Sequence, residues 1–388
     1  MKRRTLLGAS AAFLAGKPKR DSAFLFVARS SATGPGVPPP PTLRGTVHHI
    51  PASGSDQTGM IQNTINAAAF DDTVSFASGT HVVGGQMTLR SGQLYIGDTM
   101  QFSGVPRSVI SCNNAGSFLI KDSSNITMYG LQWVRSNNLI LGAWSAGSTS
   151  NITITNCIFD NQDFVGGPDM MDWGGVRGLT IQWCSFLNGA GTSNNGFGAS
   201  CSNILVTRCR FDHCREAIGW AVGNTPDPGA NSHLYVTSSL FTNNQRIPIE
   251  MAPDSGRNNA DDLKVTDCWI AGWSAPVGAG LCVSIVAGGN LEIARCYMDP
   301  RGSSRGGTTC LEFDVPVGKA VNIHDNNFQN SASAAIGGNY TQGPMNLITN
   351  NNFWHCASDT DVNSQSVITG STHNNIGVPP QPVSGAGP

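Results

Sequence analysis

Charge is scarce in this chain. Only 12% of its 388 residues are Asp, Glu, Lys or Arg, and the formal net charge is −2. With no basic field there is no long-range attraction toward nucleic acid or an anionic membrane surface, so neither is an expected partner. Long apolar runs are missing too. The run that opens the chain, in MKRRTLLGASAAFLAG, holds about a dozen residues, short of the roughly 20 that a spanning helix needs. No two cysteines stand at C-x-x-C spacing, which removes the common zinc-thiolate frameworks. Helical apolar periodicity is confined to SDQTGMIQNTINAAAF, where Met60, Ile61, Ile65 and Ala68 share a face behind a cap at Ser55 or Asp56.

What is present repeats. NITITNCIFDN from Asn151, GLTIQWCSFLN from Gly178 and NILVTRCRFDH from Asn203 are copies of one pattern: alternating apolar residues, a turn residue, Cys, and an aromatic two places on. Fainter copies begin at Asn125, His233, Asp262, Asn290, Ala320 and Met345. Aligned on the cysteine they place Cys157, Cys184, Cys209, Ser239, Cys268, Cys296, Asn327 and Asn352 at one position, 25 to 31 residues apart. A fixed period of this length means one supersecondary unit per repeat. Ile152 and Ile154, Leu179 and Ile181, and Ile204 and Val206 alternate at period two, which is strand and not helix. Three short strands per repeat, each joining a parallel sheet, give a solenoid whose coils stack about 4.8 Å apart. Asn161, Asn188, Asn243 and Asn330 recur in the turn after the aromatic, where their amides are expected to bond along the solenoid.

These Asn-rich coils, with SDQTGMIQNTINAA…DDTVSFASGTHVVGGQMTLRSGQLYIGD (55–98) ahead of them, resemble the right-handed parallel β-helix of the pectin-lyase-like superfamily. The resemblance implies an all-β solenoid with an N-terminal capping helix. It also implies a polysaccharide as partner, and through the pectate lyases it implies Ca²⁺ as the candidate cofactor. No catalytic motif of those enzymes can be matched residue by residue.

The expected organisation is an export signal and leader over 1–32, a Pro/Gly-rich linker over 33–45, the β-helix over 46–376 and a disordered tail over 377–388. A basic start followed by a short apolar run with small residues points to secretion or the periplasm, and the chain is expected to be a monomer. Eleven cysteines are an odd number. Five occupy one repeat position as a buried thiol ladder, and Cys282–Cys310 and Cys201–Cys214 are the candidate disulfides.

A packed interior leaves the outer wall for ligands. Each repeat carries a later strand, such as DMMDWGG (169–175), AIGWAVG (217–223), PIEMAPD (248–254) and CLEFDV (310–315). If its apolar residues face inward, the outward row is Asp172, Gly198, Gly219, Glu250, Ser284, Glu312 and Gly337. Gly198 and Gly219 make a floor for a flat sugar ring between Asp172 and Glu250. Asp172 and Glu250 are three coils apart, about 14 Å, too far for a hydrolytic pair, whereas Glu250 and Glu312 are about 9.6 Å apart, at the upper limit for inversion. Asp169 beside Asp172 is a further acid or metal candidate. Arg246, and Arg215 one coil earlier, are candidates to grip a carboxylate or act as a lyase base, with ordinary turn ion pairs as the competing explanation. His213 replaces Asn in the turn, and Trp183 is the turn aromatic expected to be exposed for stacking on a sugar. Three functions stay open: a polysaccharide lyase or glycoside hydrolase, a non-catalytic surface glycan binder, and a trimeric tailspike-like fibre.

Overall fold

The computed structural model describes residues 38–100, 103–112, 117–134, 140–142, 149–161, 170–189, 195–197, 201–222, 231–253, 260–273, 281–286, 288–301, 309–315, 320–340, 346–361, 366–369 and 372–373. The segments expected as leader (1–32) and tail (377–388) lie outside them. The strands form three parallel sheets, and consecutive strands of the chain fall in different sheets. The first sheet runs in 13 strands from Val47–Ile50 to Ser366–Thr369, and the second in 13 from Ser53–Asp56 to Thr372–His373. The third has 11, from Gln86–Thr88 to Ser358–Asp361. Each circuit of the chain therefore lays one strand on each wall of a tube, the all-β parallel β-helix expected from the repeats.

Alternation builds the tube. In the first sheet Ile152, Leu179 and Ile204 pair in register, as do Ile154, Ile181 and Val206, and all are buried. The aromatic of the repeat faces inward from the second sheet. Trp133, Phe159, Phe186, Phe211 and Phe241 stack nearly parallel, with centroids 4.8, 4.9, 4.8 and 4.7 Å apart. Those separations match the strand spacing, so ring stacking and backbone pairing are satisfied together.

The corners explain the turn residues. Asn125, Asn151, Asn203 and Asn290, the first letters of their repeats, have φ of 57°, 55°, 56° and 50°. Asn tolerates this left-handed conformation better than any other non-glycine side chain, apart from Asp, and Gly178 at φ 74° fills the same place. Here the amides do bond along the tube: Asn151 Nδ2 donates to Asn125 Oδ1 at 3.3 Å. After the second sheet Asn188, His213, Asn243 and Asn330 are left-handed as well. Their amides bond not to each other but to carboxylates one coil earlier: Asn188 to Asp160, Asn243 to Asp212 and Asn330 to Asp299. Asn161 does not share the left-handed turn and is buried.

The cysteine position shifts by one at the C-terminal end. Tyr297 pairs with Asn327, and Asn327 with Asn352, so Cys296 is stacked on Asn326 and Asn351, not on Asn327 and Asn352. The chemistry of the position is hydrogen-bond donation. Cys184, Cys209, Cys268 and Cys296 donate Sγ–H to Ile154, Ile181, Val236 and Val265 carbonyls, and Asn326 donates to Ile293 O at 2.8 Å. A thiol and an amide thus do the same work here, each donating to a strand carbonyl of the preceding coil. The candidate disulfides are not formed. Cys282 and Cys310 are separate thiols, and Cys201 and Cys214 donate to Trp173 O and Phe186 O.

The helix Thr58–Ala67 lies against the first strand of the first sheet and the first strand of the third, burying Ile61 and Ile65 at the start of the core. Its cap is Gln57, and Asp56 Oδ1 instead accepts Thr58 N–H from one residue further out. Met60, expected on the buried face, is 39% exposed. The described end of the Pro/Gly-rich stretch packs on the tube: Tyr129 Oη donates to Pro38 O at 2.9 Å. Among the described residues no helix is long and apolar enough to cross a membrane.

Candidate functional site

The third sheet carries the outward row. Its register pairs Asp172 with Gly196, Gly196 with Gly219, Gly219 with Glu250, Glu250 with Ser284, Ser284 with Glu312 and Glu312 with Gly337. Met171, Trp173, Phe197, Ile218, Ile249, Met251, Val283, Ile285, Leu311 and Phe313 alternate with these residues and are buried. Six of the seven expected members, Asp172, Gly219, Glu250, Ser284, Glu312 and Gly337, are therefore in register, with Gly219 and Ser284 themselves buried. Gly198 is not a member, because the strand Asn195–Phe197 puts Gly196 there; Gly198 and Asp169 lie outside the described residues.

Where the tube turns from the second sheet into the third, a group forms that the sequence reading did not assemble. Ala217 N donates to Pro248 O and Gln245 N to Cys214 O, which sets Glu216 beside Arg246 of the next coil. Arg246 Nη1 donates to Glu216 Oε1, and Nη2 reaches Glu250 Oε1 at 3.4 Å. The Glu216 side chain is 4% exposed, that of Glu250 16%. Burial first, and then the charge of Glu250, to which it is hydrogen-bonded, push the Glu216 carboxyl up to about 7 against the pull of Arg246 and Arg215. The two carboxylates meet at one guanidinium, Glu216 from behind and Glu250 from the more open side. Glu216 sits two residues before the strand Ile218–Val222, ahead of the buried Ala217, and only its place beside Arg215 marked it in sequence.

Asp172, at the far end of the glycine floor, is raised by burial alone. Glu312 is exposed. Arg215 contributes to the field at Glu216, and its N–H donates to Gly189 O. His213 is a left-handed corner residue, half-exposed, with Nδ1 3.1 Å from Asp212 Oδ1, away from the row. Trp183 is a correction. It occupies a left-handed turn at φ 56° but is only 7% exposed, and the Arg208 guanidinium covers its ring 5.0 Å from the centroid. A covered ring offers no face to a sugar.

Calcium does not fit the row. Among the described residues no three His, Cys, Asp or Glu converge on a point. Glu250 and Glu312 are about 9.6 Å apart, while Ca²⁺–oxygen bonds are about 2.3–2.6 Å.

No protein-family model matches the sequence, and no curated protein matches it. Solved structures match the fold. The A-module of the mannuronan C-5 epimerase AlgE6 from Azotobacter vinelandii is 12% identical, with a TM-score of 0.57 over 84% of this chain and 96% of that one. The pre-mature gene product 12 of bacteriophage phi29 is 12% identical, with a TM-score of 0.54 over 84% of this chain and 55% of that one. Tailspike protein 3 of bacteriophage CBA120 is 12% identical, with a TM-score of 0.52 over 84% and 60%. At such identities the likeness establishes the parallel β-helix and nothing narrower.

Proposed function

We propose that this chain hydrolyses a polysaccharide laid along the third sheet, after export by its N-terminal leader, and does so as a monomer. The observation that carries the reading is the Glu216–Arg246–Glu250 cluster beside a side-chain-free floor, in which buried Glu216 is pushed up to about 7. Glu216 thereby still holds a proton near neutral pH, a source that general acid catalysis needs. Glu250, on the more open side, passes the Glu216 proton to the glycosidic oxygen as the C–O bond breaks. Glu216 and Arg246 are positioning residues, refilling and orienting Glu250 from behind. Glu312, two coils on at about 9.6 Å, takes a proton from the water that attacks the anomeric carbon from the opposite side, which is inverting geometry. Gly196 and Gly219 seat the neighbouring ring, and Asp172 bonds its hydroxyls.

Elimination is the weaker chemistry here. A lyase needs a cation for the uronate carboxylate, and Arg246 is already bonded to Glu216 and Glu250. That an epimerase module of this fold acts on mannuronan supports a glycan as the partner. The test is a polysaccharide panel. Hydrolysis gives new reducing ends without the ultraviolet absorbance of an unsaturated uronide, and Glu250→Gln lowers kcat by about a hundredfold or more. The 4% exposure of Glu216 favours one second reading, glycan binding with a structural ion-pair staple. Glycan retention with no product from any polysaccharide selects it.

A further inference from the structure

A second concave feature lies six coils from Glu250, about 29 Å along the tube, where the first two strands of the third sheet end at the helix-capped rim. It is a cleft of about 410 Å³, within the range of small-ligand sites, lined among others by Phe70, Arg90, Ser91, Gln93, Lys121 and Asp122. Phe70 is 62% exposed, the most exposed large apolar side chain among the described residues. It is nonetheless held in place. Its ring lies over Gly92, where a Cβ would come within 2.4 Å of the ring, and Gly92 is left-handed at φ 78°.

The polar lining is equally fixed. Gln93 is buried, donates to Ile65 O and Ala68 O, and accepts from Tyr95 Oη. Arg90 is tied by Nη1 to Asn66 O at 2.6 Å, which leaves the rest of its guanidinium fork for a ligand. Lys121 and Asp122 are exposed; Ser123 Oγ donates to Lys121 O at 2.9 Å, but among the described residues neither side chain has a hydrogen-bond or ion-pair partner. In so weakly charged a chain, two cations beside a fixed aromatic ring stand out.

We infer that this cleft binds an acidic sugar residue, with Phe70 under the apolar ring face, Arg90 and Lys121 on the carboxylate, and Asp122 accepting from a hydroxyl. Each part matches one part of a uronate: ring C–H groups stack on an aromatic face, the carboxylate takes charge-assisted donors, and hydroxyls need an acceptor. The inference rests on the reading that the chain has a polysaccharide partner, and it names that partner as acidic, anchored at a point remote from the cleavage site. Recognition of carboxylate alone would not require Phe70.

Calorimetric titration of the full chain tests it, in the Glu250→Gln background so that no probe is consumed. The probes are galacturonate and mannuronate trisaccharides, neutral maltotriose and sodium acetate. A uronate trisaccharide is expected to bind where maltotriose and acetate do not. Phe70→Ala and Lys121→Ala should each weaken it about tenfold with unchanged melting, since both side chains are exposed. Affinity that is the same in both variants, equal binding of maltotriose, or no uronate binding at all overturns the inference. If instead no polysaccharide is cleaved but the Phe70- and Lys121-dependent binding persists, the hydrolase reading fails and this site stands.

Discussion

A carboxyl group that keeps its proton to about 7 makes folding depend on pH in a definite direction. Glu216 has its pKa raised in the fold, so its favourable contribution is complete below about 4.5 and disappears as pH rises through about 7. Asp172, also raised, acts in the same sense, while Asp212 and Asp267, held low by Asn243 and Arg210 and by Arg295, lose their contribution only in acid. The melting temperature is therefore expected to fall between about pH 5 and 8, and Glu216→Gln to flatten that fall; an unchanged slope in the variant would contradict the assignment. Arg246→Met leaves buried Glu216 and partly buried Glu250 without their cation. It should cost about 3 kcal/mol at pH 8 and clearly less at pH 5, where Glu216 is neutral, as read by denaturant melts at both pH values. If Glu216 positions Glu250, Glu216→Gln also moves the alkaline limb of the kcat profile, which a purely structural staple would not do. None of this was legible from one stretch of sequence: Glu216 and Arg246 stand 30 residues apart, and only the coil register joins them. Trp183 misled for a related reason. Its turn position was readable, but its cover, Arg208, comes from the next coil.

The strands were legible because period two survives wherever both faces carry side chains. It fails where they do not. In the strand Asn195–Phe197 the flanking glycines give no pattern on the outer face, so sequence alignment slid from Gly196 to Gly198 while keeping the right parity. A slip of one residue moved Cys296's partners to Asn327 and Asn352, since three consecutive asparagines at 350–352 offer no apolar anchor. The inward aromatics fixed the register elsewhere. Each ring between Trp133 and Phe241 stacks on the ring above and the ring below, so removing one breaks two contacts and opens a cavity. Phe211→Ala is expected to cost about 3–5 kcal/mol, against less than about 1.5 kcal/mol for a volume-conserving swap such as Phe211→Met, by chemical denaturation. Equal losses for the two would mean that filled volume, not this stack, is of little account to the coil.

A tube of parallel strands has a problem that a closed barrel does not: its ends expose strand edges ready to pair with another copy. At the N-terminal end the first strands of the three sheets, Val47–Ile50, Ser53–Asp56 and Gln86–Thr88, each have a neighbour on one side only. The helix Thr58–Ala67 meets two of them and drives Ile61 and Ile65 into the core mouth, with Gln62 bonding Thr88 backbone through both its amide groups. Through Asp56, Thr58 N–H and Gly84 N–H share one acceptor, so the strand, the helix start and the next coil are fastened at a single carboxylate. Ordinary helix propensity cannot hold ten residues in water, so the helix persists only while its apolar pair stays buried. Replacing Ile61 and Ile65 together by Asp should lift the helix off while leaving the distant coils paired, because each coil depends chiefly on its neighbours. The expected outcome is a chain with nearly unchanged strand circular dichroism that associates through its bared edges, seen as concentration-dependent species in sedimentation. A double variant that sediments as a single monomer at all concentrations would show that the edges are protected by something other than this helix.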